Sequence, residues 1–271
     1  MTGIPPVALT IAGSDSGGGA GIEMDLKVFS ALGVFGACAV TALTAQNTQG
    51  VHSAWEAPSE FVRSQIDAVL EDLPVRAAKT GMLSSESIVR AVVQAVRERD
   101  FPPLVVDPVV VAKDGTHLLS DTGIDAMRDE LIPLATIITP NIPEATALSD
   151  VPIDSEEDMP RAAAKLRNLG CTWVLVKGGH LSGPEVFDLL LGPDGEQILT
   201  SRRIAGGPFH GTGCALSASI AARLAAGQSV SDAVRLSRRL LQHLLSSSYS
   251  LGKGSLVLHP QPLTADEEEP S

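Results

Sequence analysis

Short apolar runs alternate with longer stretches of helical periodicity along most of this chain. Between residues 84 and 99 the apolar positions recur every three or four residues, which predicts an amphipathic helix. Similar patterns predict helices at about 22–32, 61–70, 155–168, 214–226 and 230–246, and the apolar runs predict strands at 7–12, 37–45, 76–79, 104–106, 137–139 and 173–176. This alternation predicts an α/β fold with a central, mostly parallel sheet flanked by helices.

The pattern changes after residue 180. Two apolar segments, 186–191 and 196–203, flank the run Gly192-Pro193-Asp194-Gly195, which is typical of an antiparallel hairpin. No repeat or linker interrupts the pattern, so we predict a single domain over residues 1–259. Residues 260–271 form an acidic tail that we expect to be disordered, because it has no apolar face to bury.

Composition narrows the class of protein. Aromatic residues make up only 3% of the chain, so the core is expected to consist of Ala, Val, Leu and Ile, which suits buried parallel strands. The net charge of −12 and the lack of a basic cluster argue against nucleic-acid binding. Three widely spaced cysteines and the lack of a signal peptide or an 18-residue apolar run predict a cytoplasmic protein without a membrane span.

Polar residues recur where the predicted strands end. They are Asp15 with its following glycines, Gln46, Lys79, Asp107, Asn141 with Glu144, and Lys177. Ligands of open α/β sheets bind outside the carboxyl ends of the strands, so these residues predict one shared site.

A glycine-rich segment, Gly211-Thr212-Gly213-Cys214, leads from a loop into an Ala-rich helix. The free N–H groups of a helix start carry partial positive charge, which suits phosphate oxygens. An ordinary glycine-rich helix start has the same local sequence. The chain contains no phosphate-binding P-loop motif.

Seven segments together resemble one known family. They are ALTIAGSDSGGGAGIEMDLKVFSALGV, TALTAQNTQGV, AKTGML, VVDPVVVAKDG, ITPNIPEA, VLVKGGH and HGTGCALSA. Through them the chain resembles the hydroxymethylpyrimidine/phosphomethylpyrimidine kinases of thiamin biosynthesis, within the ribokinase superfamily, from Ala8 to Ala218 and weakly to His259. The resemblance implies a ribokinase-like three-layer sandwich, ATP as co-substrate, Mg²⁺, a small pyrimidine substrate and a homodimer.

The resemblance also assigns roles to individual residues. On the substrate side, Asp25 and Gln46 would bond the edge of the aminopyrimidine ring, Gly13 would lie against it, and Met82 and Val110 would be apolar walls. On the phosphate side, Asp107 and Glu144 would hold Mg²⁺, Asn141 and Lys177 would contact the nucleotide phosphates, and Gly211, Thr212 and Gly213 would form the anion hole. Cys214 stands where most of the superfamily has a catalytic aspartate.

General chemistry supports these roles and adds one expectation. The helix start at Cys214 is expected to lower the pKa of its thiol, giving partial thiolate near neutral pH. Three features depart from the family pattern, namely Met24 for a smaller residue, Val110 for a frequent methionine, and the run Gly207-Pro208-Phe209 before His210.

Other interpretations remain open from the sequence. Asp25 fits a solvated surface carboxylate, Asp107 a turn residue before Pro108, and Met82, Val110 and Cys214 plain packing positions. Lys79 and Lys113 either pair with carboxylates or face ATP, and His180 receives no role. For the whole chain, the alternatives are a pyridoxal/pyridoxine kinase and a non-catalytic pyrimidine- or nucleotide-binding regulator.

Overall fold

The computed structural model describes residues 3–111, 115 and 117–262. Within them, a nine-stranded sheet has the order β3-β2-β1-β4-β5-β6-β7-β8-β9. Its strands are β1 Val7–Asp15, β2 Phe35–Asn47, β3 Gly50–Glu56, β4 Val75–Thr80, β5 Leu104–Val106, β6 Ile137–Ile138, β7 Trp173–Val176, β8 Glu185–Gly192 and β9 Gly195–Arg202. The six strands β1, β2 and β4–β7 run parallel, while β3, β8 and β9 pair antiparallel with their neighbours. A small parallel pair joins β10 Phe209–His210 to β11 Leu256–Val257.

Helices cover both faces of the sheet. They are α1 Gly21–Ala31, α2 Ser59–Asp72, α3 Glu86–Glu98, α4 Asp121–Ala126, α5 Ile142–Ser149, α6 Met159–Arg167, α7 Thr212–Ala225 and α8 Val230–Ser246, with short 3-10 or π-helical turns at Met127–Leu131, Ile132–Leu134, Glu156–Asp158 and Gly178–His180. The buried residues of α2–α6 share one apolar core and those of α1, α7 and α8 share the other, on opposite sides of the sheet. The predicted three-layer α/β architecture is therefore confirmed.

The predicted elements agree best where the apolar pattern is strongest. Strands β5 and β7 and helix α8 have the predicted bounds, and the hairpin of β8 and β9 closes at Gly192 and Gly195. Strand β1 runs to Asp15, three residues beyond its predicted end, because it continues to pair with β2 past an irregularity in register. Strand β3 was not predicted, since nearly all its side chains are exposed at the edge of the sheet.

Two helix starts depend on local capping. Asn141 and Glu144 form a capping box that begins α5, a helix too short to be found by periodicity. Ser155 and Asp158 form a second capping box, which begins a 3-10 turn that precedes α6, so this helix begins at Met159 and not at the predicted residue 155.

None of the described helices is long and apolar enough to cross a lipid bilayer. The division into a domain at 1–259 and an acidic tail stays a prediction, because residues 263–271 lie outside the described part of the chain.

Candidate active site

Asp107 is the centre of a polar cluster at the carboxyl ends of the parallel strands. Its side chain is buried, and Oδ1 accepts hydrogen bonds from Thr139 Oγ1 at 3.1 Å and Lys177 Nζ at 3.1 Å. Oδ2 accepts from Ser217 Oγ, 3.1 Å away on α7. Burial acts to raise the pKa of Asp107, but the charges of Lys177 and Lys79 outweigh it and lower the pKa. Asp107 is therefore an anion at neutral pH and not a simple turn residue.

Asn141 and Glu144 lie beside this cluster at the start of α5. Glu144 Oε2 accepts from the Asn141 backbone N–H at 2.8 Å, and Asn141 Oδ1 accepts from the Glu144 backbone N–H at 2.9 Å. Asn141 also pairs in parallel with Lys177, beyond the ends of β6 and β7. Burial raises the pKa of Glu144 to about 7. The charge of Lys177 acts to lower this pKa, and the charge of Asp107 acts to raise it further.

The start of α7 opens onto the same cluster. Gly211 has a positive φ of 79°, and a Cβ on it would collide with the carbonyl oxygen of Gly19. A Cβ on Gly213 would lie 3.5 Å from both Asp107 Oδ2 and Lys177 Nζ. The space in front of the first turn of α7 is therefore bordered by a lysine and a carboxylate.

Cys214 follows Gly213 in this first turn. Burial raises the pKa of its thiol to about 11, although the Lys79 charge and the backbone N–H of Gly21 act to lower it. The expectation of a lowered pKa is wrong, because burial together with the Asp25 and Asp107 charges outweighs the groups that act to lower it. Cys214 is consequently a neutral thiol at neutral pH.

Asp25 and Lys79 form a fully buried ion pair. Asp25 Oδ2 lies 2.7 Å from Lys79 Nζ and accepts from Thr10 Oγ1 at 2.6 Å, and both charged side chains are 0% exposed. Burial acts to lower the pKa of Lys79, but the charge of the Asp25 carboxylate has the larger effect, so the pKa of the lysine is raised. The interpretation of Asp25 as a solvated surface residue is wrong, and the open question about Lys79 is answered by this pair. Lys113 lies outside the described residues.

The residues assigned to the apolar walls occupy different environments. A Cβ on Gly13 would lie 3.0 Å from Met82 Cε, so these two positions are neighbours. Met82 is half-buried and lines an open cleft of about 480 Å³, with Ala42, Val51, Glu56, His117 and Leu119 among the other lining residues. Val110 belongs to the apolar core and is only 5% exposed.

Gln46 belongs to a network with Asp15, which the sequence placed at the shared site without a specific role, and with His210, to which the sequence gave no role. Its Nε2 lies 3.0 Å from His210 Nε2, and the same histidine nitrogen lies 2.9 Å from Asp15 Oδ2. Asp15 also accepts backbone hydrogen bonds from the glycine-rich loop, with Gly17 N–H at 2.8 Å. An aspartate directly before several glycines is a known acceptor for the following N–H groups, so this part of the network had a local signal. His210 had none, because it is 195 residues away from Asp15 in the chain.

Three comparisons place the chain among known proteins. The family model described as phosphomethylpyrimidine kinase matches residues 15–259. A Streptomyces coelicolor protein named hydroxymethylpyrimidine/phosphomethylpyrimidine kinase is 46% identical over 250 residues, covering 92% of each chain.

Two solved structures extend the likeness to the fold. A phosphomethylpyrimidine kinase from Clostridium difficile is 42% identical with a TM-score of 0.79, covering 88% of this chain and 98% of that one. A Staphylococcus aureus pyridoxal kinase in complex with pyridoxal is 31% identical with a TM-score of 0.88, covering 96% of this chain and 95% of that one. The family model matches most of the chain, and the solved structures share its ribokinase-like fold. This chain therefore belongs to the phosphomethylpyrimidine kinase family.

Proposed function

We propose that this protein transfers the γ-phosphoryl group of ATP to the hydroxymethyl oxygen of 4-amino-5-hydroxymethyl-2-methylpyrimidine. A second transfer to the resulting monophosphate gives the diphosphate used in thiamin biosynthesis. The observation that carries the proposal is the meeting of Asp107, Lys177 and the glycine start of α7 around one space. Phosphoryl transfer depends mainly on positioning and charge neutralisation, which is what this arrangement offers.

The phosphate side of the site follows from that geometry. Lys177 offers a positive charge to the nucleotide phosphates, and Asn141 lies next to it at the start of α5. The backbone N–H groups of Gly211, Thr212 and Gly213 surround the transferring group as an anion hole.

A Mg²⁺ ion fits the donors that Asp107 and Glu144 provide. This ion keeps several waters and binds one or two carboxylates together with phosphates, so no cluster of three acidic side chains is needed. The raised pKa of Glu144 supports the assignment, because a nearby cation would favour its charged form. When bound, the ion supplies charge neutralisation for the phosphate oxygens.

The pyrimidine side is assigned to Gly13, Asp25, Gln46, Met82 and Val110. Gln46 offers a carboxamide that matches an aminopyrimidine edge in having both a donor and an acceptor. Within the described part of the chain, Asp25 Oδ1 is buried and has no hydrogen-bond partner, so this oxygen can still accept one hydrogen bond. Val110 is almost completely buried, so we assign it to the apolar core that supports the pyrimidine site.

Cys214 is proposed to orient the substrate hydroxyl as a neutral thiol. A loose transition state needs little assistance from a base, so a thiolate is not required. This proposal replaces the thiolate expected from the sequence.

The family likeness also suggests a homodimer acting in the cytoplasm. Leu43 and Trp55 are paired across β2 and β3 and are 50% and 61% exposed, which gives the sheet an apolar edge. Such a surface suits a second copy of the chain. Sedimentation equilibrium would return the mass of a monomer if this proposal were wrong.

The proposed reaction is tested by ADP release from ATP and Mg²⁺ with and without the hydroxymethylpyrimidine. We expect release that depends on the pyrimidine, stops with a chelator, and yields the monophosphate followed by the diphosphate. A non-catalytic binding protein would release no ADP above the background of the pyrimidine-free reaction. Pyridoxal kinase activity is the second candidate, because the chain shares its fold with a pyridoxal kinase. The same assay of ADP release, with pyridoxal in place of the pyrimidine, measures this activity.

A further inference from the structure

Asp15 is a buried carboxylate whose oxygens all receive hydrogen bonds from donors. It is 2% exposed; Oδ1 accepts from the Gly17 N–H, and Oδ2 accepts from the Gly19 and Ala20 N–H groups at 3.0 and 2.9 Å. Burial acts to raise its pKa, but hydrogen bonds from His210 and the loop outweigh burial and lower it. Asp15 therefore presents only lone pairs to its neighbours.

The proton on His210 follows from this environment. His210 Nε2 lies 2.9 Å from Asp15 Oδ2. An unprotonated Nε2 would set its lone pair against a buried anion, whereas a protonated Nε2 donates a charge-assisted hydrogen bond. Nε2 is thus the ring nitrogen that carries hydrogen.

That proton decides the orientation of Gln46. The Gln46 carboxamide nitrogen lies 3.0 Å from the same His210 Nε2. Two N–H donors cannot bond each other, but rotating the carboxamide by 180° exchanges its nitrogen and oxygen at nearly the same positions. The N–H of His210 is then shared between Asp15 Oδ2 and Gln46 Oε1, and the NH₂ group of Gln46 is directed away from the histidine.

The surrounding backbone fixes both partners in place. A Cβ on Gly19 would lie 2.5 Å from His210 Cδ2, so only glycine allows the loop to pack this closely on the imidazole. The backbone of Gln46 donates to Ser16 Oγ at 2.9 Å, and the Ser16 hydroxyl donates to the Gln46 carbonyl at 2.8 Å. These contacts hold the Gln46 backbone and the His210 ring close to the same loop.

We propose that His210 is a positioning residue that holds the Gln46 carboxamide with its NH₂ group toward the ligand. The site then selects ligands that present a hydrogen-bond acceptor there, such as a ring nitrogen of an aminopyrimidine. The ligand part of the proposal rests on the proposed function, because it takes Gln46 as a contact of the pyrimidine ring.

The first experiment needs no ligand. Nitrogen-15 NMR of the labelled wild-type enzyme reports which ring nitrogen of each of its six histidines carries a proton, and the spectrum of His210→Gln assigns His210 by difference. We expect a protonated Nε2 at neutral pH, whatever the state of Nδ1. A proton on Nδ1 with a bare Nε2 would overturn the proposal.

The second experiment is calorimetric titration with the aminopyrimidine and with an analogue that has C–H in place of the ring nitrogen beside the amino group. Glutamine can place an NH₂ group where Nε2 stands, so His210→Gln is expected to bind the pyrimidine within about threefold of wild type, whereas His210→Leu loses about 10- to 100-fold. His210→Leu is expected to bind the carbon analogue as wild type does. His243→Gln, on the exposed side of α8, is the control and should bind both ligands as wild type does.

The binding data and the NMR data test different contacts of His210. If His210→Leu weakens both ligands equally, or neither, His210 has no role in orienting Gln46 and the proposal is wrong. If wild type binds no pyrimidine, the proposed function and the ligand part fail together, while the NMR result still decides whether His210 donates to Asp15 and Gln46.

Discussion

Burial of Cys214 in the first turn of α7 makes a prediction about the reactivity of its thiol. A pKa of about 11 leaves the thiol protonated at pH 7, and the reactive thiolate fraction should rise about tenfold for each pH unit up to that value. We predict that iodoacetamide alkylates Cys214 slowly at pH 7 and that the alkylation rate increases steeply up to pH 10. Peptide mass spectrometry measures this rate. Bound pyrimidine should protect it. A rate that has already levelled off at pH 8 would show a low thiol pKa.

The catalytic contribution of Cys214 is tested by replacement. We predict that Cys214→Ala lowers kcat by about 10²-fold, the loss expected when a reacting group is misplaced by about 1 Å, because the neutral thiol orients the substrate hydroxyl. The affinities for ATP and pyrimidine should change little. Cys38→Ala, on β2, is the control and should leave kcat unchanged. Full kcat in Cys214→Ala would make Cys214 a packing residue.

The buried pair of Lys79 and Asp25 makes a prediction about stability. Lys79→Met leaves an unpaired carboxylate in the interior, which should lower the free energy of unfolding by about 3–5 kcal/mol in urea titrations. Lys165→Met is the matched control, since its pair with Asp150 at 3.9 Å is exposed and is worth about 0–1 kcal/mol. Adding Asp25→Asn to Lys79→Met should restore part of the loss. Equal stabilities of the two lysine variants would contradict the account.

Single residues could be predicted from the sequence where a motif marks them. Asp107 and Lys177 were found because each directly follows a strongly apolar strand. The pairing of Asp25 with Lys79 was not found, because the two residues are 54 positions apart and either one alone resembles a surface charge. The pKa of Cys214 was misjudged because local sequence shows the helix start and does not show the depth of burial.

The two glycines at the start of α7 are expected to differ in role, Gly213 in binding ATP and Gly211 in stability. We predict that Gly213→Ala folds normally but loses about 10²-fold in kcat/KM for ATP, because its methyl group would lie 3.5 Å from both Asp107 Oδ2 and Lys177 Nζ and fill space proposed for the phosphates. Gly211→Ala should instead lower the free energy of unfolding by more than about 2 kcal/mol, owing to its positive φ and the collision with Gly19. Thermal unfolding and steady-state kinetics separate the two effects. The assignment fails if Gly213→Ala keeps full efficiency.

Helices and strands with a strongly buried apolar pattern could be predicted from the sequence, whereas exposed or very short ones could not. Strand β7 has an unbroken apolar run, and α8 has a clear apolar face, so both were found with their bounds. Strand β3 is exposed along its length, and α5 begins at a capping box and spans only eight residues. Periodicity carries no information about either kind of element.

For the whole molecule, the parallel α/β architecture followed from the alternation of strands and helices. The strand order did not, because it depends on which strands pair over long sequence separations, such as β1 with β4. That order brings the ends of β1, β5 and β7 to one edge, where α7 meets them. The polar ends of the predicted strands indicated one shared site, but the contacts between particular distant residues depend on the strand order and could not be predicted from the sequence.

We expect this kinase to act on the hydroxymethylpyrimidine in preference to pyridoxal. The most direct measurement is the ratio of kcat/KM for the two alcohols with the same enzyme, ATP and Mg²⁺ concentrations. We predict a ratio of at least about 10² in favour of the pyrimidine, because a site built to bond the aminopyrimidine edge leaves buried polar groups unpaired with pyridoxal. Equal or greater efficiency with pyridoxal would contradict the account.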